Sequence, residues 1–198
     1  MPTTCTPFDI HYRIEGDTIV VYLYCKEAEG KTIAVRIRHE PFFYADIQDI
    51  TAVAQQLRKL KVMIGLQEGK ITRWEPIEKE LLGQRSCFYK IFTSIPKAVP
   101  LISKELEVLG IPCYEKDILF AHRFLRDTSI VPFGTIEVDG QVVRHDEFRC
   151  PVLEAAAVRP ISSAASSPLK ILALDLETYS PTKIMDMVHH PILMAGFS

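Results

Sequence analysis

Near the end of the 198-residue sequence, Asp175-Leu176-Glu177-Thr178 sets two carboxylates two residues apart inside the apolar run "LKILALDLET". On a strand, residues i and i+2 project from one face, so Asp175 and Glu177 point together while Leu174 and Leu176 face the other side. Like charges held so close suppress each other's ionisation unless a cation sits between them. Mg²⁺ or Mn²⁺ suits that place, because hard divalent ions take oxygen ligands. Carboxylates paired in this way can hold the ions that generate an attacking hydroxide in a two-metal nuclease. Asp175 and Glu177 are therefore the candidate catalytic residues and metal ligands. The bland alternative is a strand end running into a loop with solvated carboxylates; the hydrophobic residues on both sides favour a buried strand instead.

The elements that would position this pair begin late. "LKILALDLET" reads as one strand and "PILMAGFS" as its hairpin partner, the two opening a domain that the chain does not complete. Before them, "EAAAVRPISSAASSP" carries no period and reads as a linker or crossover. "GTIEVDGQVVRHDEF" reads as a hairpin turning at Asp139-Gly140. Further upstream, β-branched and aromatic runs broken at Gly16 and Gly30 predict a meander of antiparallel strands. Ile50, Val53, Ala54, Leu57 and Leu60 then fall on one helical stripe, and Val99, Ile102, Leu106 and Leu109 on a second that Gly110 stops. Two strands lie between those helices. "IPCYE" is a short strand, and "KDILFAHRFLRDTSI" a helix with Asp117 as its N-cap. Strand, helix and strand from Phe88 to Glu115 make a ferredoxin-like or RNA-recognition-like unit. The expected fold class is mixed α/β (α+β). It divides at 1–133, 134–167 and 168–198.

Composition limits what this protein does. With 23 basic and 25 acidic residues the net charge is −2, so any nucleic-acid site must be a local patch or pocket. The five cysteines are scattered without C-x-x-C spacing, as buried free thiols of a reducing, cytoplasmic compartment would be. No apolar run approaches a membrane span, and the N-terminus lacks a basic segment followed by an apolar one.

Taken with its surroundings, "LKILALDLETYSP" resembles the first exonuclease motif of family B DNA polymerases, an apolar strand carrying D-[IL]-E-T. Four upstream blocks resemble archaeal members in the same order. They are "FDIHYRIEGDTIVVYLYC", "EPFFYADI", "FYKIFTSIPKAVPLI" and "YEKDILFAHRFLRDTSIVP". The resemblance implies an N-terminal template-recognition domain followed by the first strands of a ribonuclease-H-like 3′–5′ exonuclease domain. The parent would be a DNA-directed DNA polymerase using Mg²⁺ or Mn²⁺. Its partners would be single-stranded template DNA, the rest of the polymerase chain and, through a segment beyond Ser198, a sliding clamp. It also implies a pocket that captures template uracil, whose matching positions here are Tyr12, Pro41, Phe42, Val99, Pro100, Ile118, Leu119 and Arg123.

Those residue types suit the task. A flipped base needs a snug, mostly apolar slot with a few backbone donors and acceptors reading its Watson–Crick edge. Backbone amides near Phe42 and Ile118 would read the base, Tyr12 and Phe42 supply rings, and Val99 and Pro100 supply walls. Arg123 would brace the pocket or meet a phosphate; a surface salt bridge is its plainer role. Leu119 stands where the family usually has proline, and Phe42 where tyrosine is commoner. Two other readings stay open. One is a stand-alone single-strand-binding module using Phe88, Tyr89 and Phe92 as a stacking platform. The other is an exonuclease of the same fold without a polymerase. On the polymerase reading the 198 residues alone are expected to be catalytically inactive.

Overall fold

The computed structural model describes residues 2–162, 171–179 and 188–197. In chain order the strands and helices begin with β1 (Thr3–Glu15), β2 (Thr18–Glu27), β3 (Thr32–Arg38), β4 (Phe42–Ala45) and α1 (Ile50–Lys59). There follow β5 (Lys61–Ile64), β6 (Gln67–Leu81), β7 (Gln84–Thr93), α2 (Ala98–Val108), β8 (Cys113–Tyr114) and α3 (Phe120–Asp127). The last are β9 (Ile136–Val143), β10 (Val152–Pro160), β11 (Leu174–Thr178) and β12 (Ile192–Phe197). They fall into two compact units, divided between Ser167 and Pro168.

The first unit contains a closed barrel of order β1-β2-β3-β10-β9. The predicted meander supplies three of its strands, turning at Gly16 and Gly30, both at positive φ. Alternate residues Ile19, Val21, Leu23 and Cys25 of β2 point inward, and Phe120 and Phe124 of α3 join them in the core. Two expectations fail at the closing strands. Asp139-Gly140 is no turn: β9 runs straight through it, paired with β10, whose register jumps between Ala155 and Ala157. Gly140 is needed because a Cβ there would lie 2.5 Å from the Glu154 carbonyl oxygen. "EAAAVRP" is not a linker but most of β10, which pairs in parallel with β3 through Val152–Glu154. Its alanines hid it, being small enough for a bulged, closely approached strand yet weak as a strand signal. The serines that follow, from Ser163, lie outside the described residues.

Inserted between β3 and α3 is a five-stranded sheet of order β5-β6-β7-β4-β8. β4 pairs antiparallel with both β7 and β8. The β7-α2-β8 unit is therefore a split crossover, and the insertion is ferredoxin-like as expected. Leu57 of α1 and Val99, Ile102 and Leu106 of α2 cover one sheet face with Phe43 and Ile91. Asp49 caps α1 through the Thr51 amide. The third helix starts later than its sequence suggests. Its N-cap is Leu119 with no side-chain cap, and Asp117 lies in the preceding bend.

The second unit, among the described residues, is the antiparallel ribbon β11–β12. The predicted strand pairing is present, but β11 is not buried, Leu176 for example being 48% exposed. Of the five cysteines, all free, Cys5, Cys25 and Cys113 are buried, and burial pushes the Cys113 thiol up to about 12.

Candidate functional site

Two sets of residues were singled out from the sequence, and each keeps to its own unit. Asp175 and Glu177 sit on β11 opposite Gly196 and Met194 of β12, with Leu174 and Leu176 opposite Phe197 and Ala195. The ribbon thus has a carboxylate face and an apolar face. Among the described residues, no group of three or more His, Cys, Asp or Glu could hold a metal ion. Asp175 and Glu177 fit a hard divalent cation in donor type and in shared direction, and would supply two of its oxygen ligands.

The other eight residues converge on one cavity of about 440 Å³ between barrel and sheet. Tyr12 comes from β1, Pro41 and Phe42 from the start of β4, and Val99 and Pro100 from the first turn of α2. Ile118, Leu119 and Arg123 come from the bend and first turn of α3. Most walls are fixed by packing. Val99 is shared with the α2 core, and the Tyr12 ring meets Phe120 edge-on at 5.0 Å. Phe42 is 4% exposed, its ring lying against Phe92 and Tyr44. Leu119 stands out at 68% exposure, and Pro100 is exposed as well. Its φ of −56° and ψ of 136° are values that proline adopts, so leucine there preserves the wall's backbone path.

Backbone polarity follows from the ladder. The Thr93 amide donates to the Pro41 carbonyl at 2.9 Å, which makes Phe42 and Phe92 a non-hydrogen-bonded pair. The Phe42 amide and carbonyl therefore point away from β7, toward the edge where β8 lies. β8 ends at Tyr114, because Glu115 takes a positive φ of 54° and turns the chain off that edge. The Phe42 amide is left facing the cavity side, and the Ile118 amide has no partner among the described residues. An apolar slot with two free amides at its rim can hold a flat, hydrogen-bonding ring.

Arg123 braces this slot from behind. It is 3% exposed, its guanidinium bonded to the Glu115 carboxylate and, at 2.9 Å, to the Glu115 carbonyl, and it lies over the Phe42 ring at 4.4 Å. Burial raises the Glu115 carboxyl, but hydrogen bonds from Arg123 and Lys79 outweigh it and leave Glu115 below its ordinary value. The surface role for Arg123 is excluded; the pair ties the bend before α3 to the helix itself.

Glu115, Pro96 and Lys97 were missed as contributors. The signal for Glu115 was present, since it opens the same block that ends in Arg123. Pro96 and Lys97 line the cavity only because α2 begins there. A neighbouring cleft of about 570 Å³ shares Phe42, but its cations Arg38, Arg73 and Lys90 are matched by Asp17, Glu40 and Glu75. The suggested stacking platform is unavailable. Phe88 and Phe92 are buried, Arg73 lies over the Phe92 ring at 3.3 Å, and Tyr89 packs on the helix side.

Comparison with known proteins bears on both sites. Residues 111–198 match the family model for DNA polymerase family B, exonuclease domain. DNA polymerase 2 of Aeropyrum pernix is 26% identical over 95% of this chain and 24% of its own length. The DNA polymerase of Archaeoglobus fulgidus is 26% identical over 94% of this chain and 23% of its own length. The structure of the family B DNA polymerase from the hyperthermophilic archaeon Pyrobaculum calidifontis matches with a TM-score of 0.79 at 23% identity. That match covers 98% of this chain and 25% of the other, and it shows a shared fold. The chain thus spans about a quarter of the length of these relatives. No described helix is long and apolar enough to cross a membrane.

Proposed function

Because the chain is homologous to archaeal family B DNA polymerases and carries their exonuclease-domain signature, we propose that it is the template-reading portion of such an enzyme. On this reading the first unit binds single-stranded template and captures uracil in the cavity between β1, β4, α2 and α3. The second unit opens the 3′–5′ exonuclease. The observation that carries the reading is the convergence of eight residues, drawn from four separate segments, on one slot.

The chemistry is selection by exclusion. The free amides at Phe42 and Ile118 would pair with the base edge, which uracil and thymine share. Discrimination then falls to the thymine methyl, which the walls at Val99 and Phe42 would have to exclude. One methyl group is worth about 1–3 kcal/mol, or 10- to 200-fold. Asp175 and Glu177 would hold Mg²⁺ or Mn²⁺, which when bound supplies Lewis acidity for phosphodiester hydrolysis. Two carboxylates leave most ligand positions to water, so the chain alone is expected to lack nuclease activity, and polymerase activity as well.

The test is equilibrium binding of the 198-residue chain to single-stranded oligonucleotides that differ by one uracil for thymine, in chelator. At least tenfold tighter binding of the uracil strand is expected. Val99→Gln should fill the slot and abolish the preference, with its unfolding transition measured alongside. Equal affinity of the wild-type chain for both strands would sink the reading. A sliding clamp, a partner of the whole enzyme on this reading, would have no part in the assay.

A further inference from the structure

A second cavity of about 360 Å³ adjoins the first and shares Tyr12, Pro96 and Lys97 with it. Its other walls are Ile14 of β1, Ile64 and Gln67 flanking the β5–β6 turn, and Ile95. Ile14 is exposed and Ile64 half-buried, so apolar surface faces water beside the Tyr12 ring. Gln67 brings an amide with both donor and acceptor. Lys97 is exposed and has no ion pair among the described residues. Three aliphatic side chains, one ring, one amide and one free ammonium on the shared rim are the chemistry of a nucleobase attached to a phosphate.

The position of this groove is built into the fold. A Cβ on Gly69 would lie 2.5 Å from the Ala98 Cβ and 3.0 Å from Val62 Cγ2. Glycine at 69 therefore allows the β5–β6 hairpin to lie directly on the start of α2. That contact brings Ile64 and Gln67 to Pro96 and Lys97, which would otherwise border only the first cavity.

We propose that this groove is a second nucleobase subsite, which takes the base next to the one captured in the first cavity, with Lys97 serving the phosphate between them. The proposal rests on the first cavity holding a base. It adds that the chain reads a dinucleotide step and not a lone base. Because Tyr12, Pro96 and Lys97 belong to both cavities, the two bases share walls and bind side by side.

The experiment scans the neighbours of the captured base. A single-stranded oligothymidylate with one central deoxyuridine is compared with strands in which one nucleotide at a time is replaced by an abasic residue, which keeps the phosphate. Abasic substitution at one immediate neighbour of the uracil should weaken binding about five- to tenfold, and substitution further away by less than twofold. The double variant Ile64→Ala/Gln67→Ala should erase that neighbour effect while keeping the uracil-over-thymine preference. Lys97→Ala should weaken all strands alike and lower the salt dependence by about one phosphate contact. A flat abasic profile, or a neighbour effect that survives the double variant, overturns the proposal. The uracil–thymine contrast reads the first cavity separately. If it vanishes, weaker binding of an all-thymine strand by the Ile64→Ala/Gln67→Ala variant than by the wild-type chain still tests whether the groove takes a base.

Discussion

The slot around Val99 and the carboxylate pair on β11 were both visible as candidates, yet the structure builds them differently. The slot is held by side chains that also belong to cores, among them Val99, Phe42 and Arg123, each at most 7% exposed. The carboxylates stand on a two-stranded ribbon whose apolar face, Leu174, Leu176 and Phe197, is exposed. Two strands alone are marginal in water. Geometry in the first region is paid for by the fold around it, whereas in the second, among the described residues, it rests on the ribbon's own hydrogen bonds. The difference teaches that a motif can be legible without being preorganised.

The sharpest way to break this contrast is to truncate one apolar side chain in each region. Phe124 of α3 is 1% exposed in the barrel core, and Phe124→Ala should cost about 4 kcal/mol in urea unfolding. Leu176→Ala in the ribbon should change stability by less than about 0.5 kcal/mol. Similar losses at both positions would mean that the ribbon is as well supported as the barrel.

Next in size is the brace. Arg123→Leu leaves the Glu115 carboxylate with Lys79 at 3.1 Å and, at 4.0 Å, Arg126. A cost of about 2–3 kcal/mol is expected, below the value for a fully buried pair because Glu115 is part-exposed. Since Glu115 is held below the ordinary 4.5 of a glutamate, its folded form gains from ionisation. That gain is complete above about pH 4.5 and disappears as pH falls through the folded value. Glu115→Gln should therefore be destabilising near neutrality, and its gap to the wild type should close in acid. A gap that stays constant with pH would remove the charge from the account.

Gly140→Ala separates a close approach from a turn. With the Glu154 carbonyl 2.5 Å from the added methyl, about 1–3 kcal/mol is expected. A neutral result would restore the turn that the sequence suggested at Asp139-Gly140.

What was legible follows from the physics of each element. The ferredoxin-like insertion could be read because its helices carry apolar stripes at Leu57 and at Val99, Ile102 and Leu106, and its strands are rich in aromatic and branched residues. The barrel could not, because its closure depends on β10, whose alanines pack by smallness and whose parallel pairing with β3 is a contact across more than a hundred residues. The slot's residues were named from four ordered blocks of resemblance, not from any period. What no local pattern carried was the Gly69 contact that sets the hairpin on α2, or the tie between Arg123 and Glu115 that fixes the bend. Both are facts of tertiary approach, and a glycine or a charge in the sequence does not announce its neighbour.

The smaller effects probe the pieces least committed to the core. Leu119 already has a proline-compatible backbone, and its amide has no partner among the described residues. Leu119→Pro should thus stabilise the chain by about 0.4–1 kcal/mol by narrowing the unfolded ensemble, while firming the wall of the slot. A loss of stability would mean that the bend before α3 needs the leucine amide or its freedom.

Asp175→Asn should leave unfolding within about 0.5 kcal/mol of wild type, since the residue is exposed on the ribbon. Its effect belongs to metal alone. Titration with Mn²⁺, followed by paramagnetic broadening of the β11 and β12 amide signals, should show weak, saturable broadening at Asp175, Glu177 and their partners Gly196 and Met194. Asp175→Asn should reduce it, because a neutral amide is a poorer ligand for a hard cation than a carboxylate. Broadening of equal strength in the variant would show that the paired carboxylates do not act together, and would leave the slot around Val99 as the one preorganised site of the two.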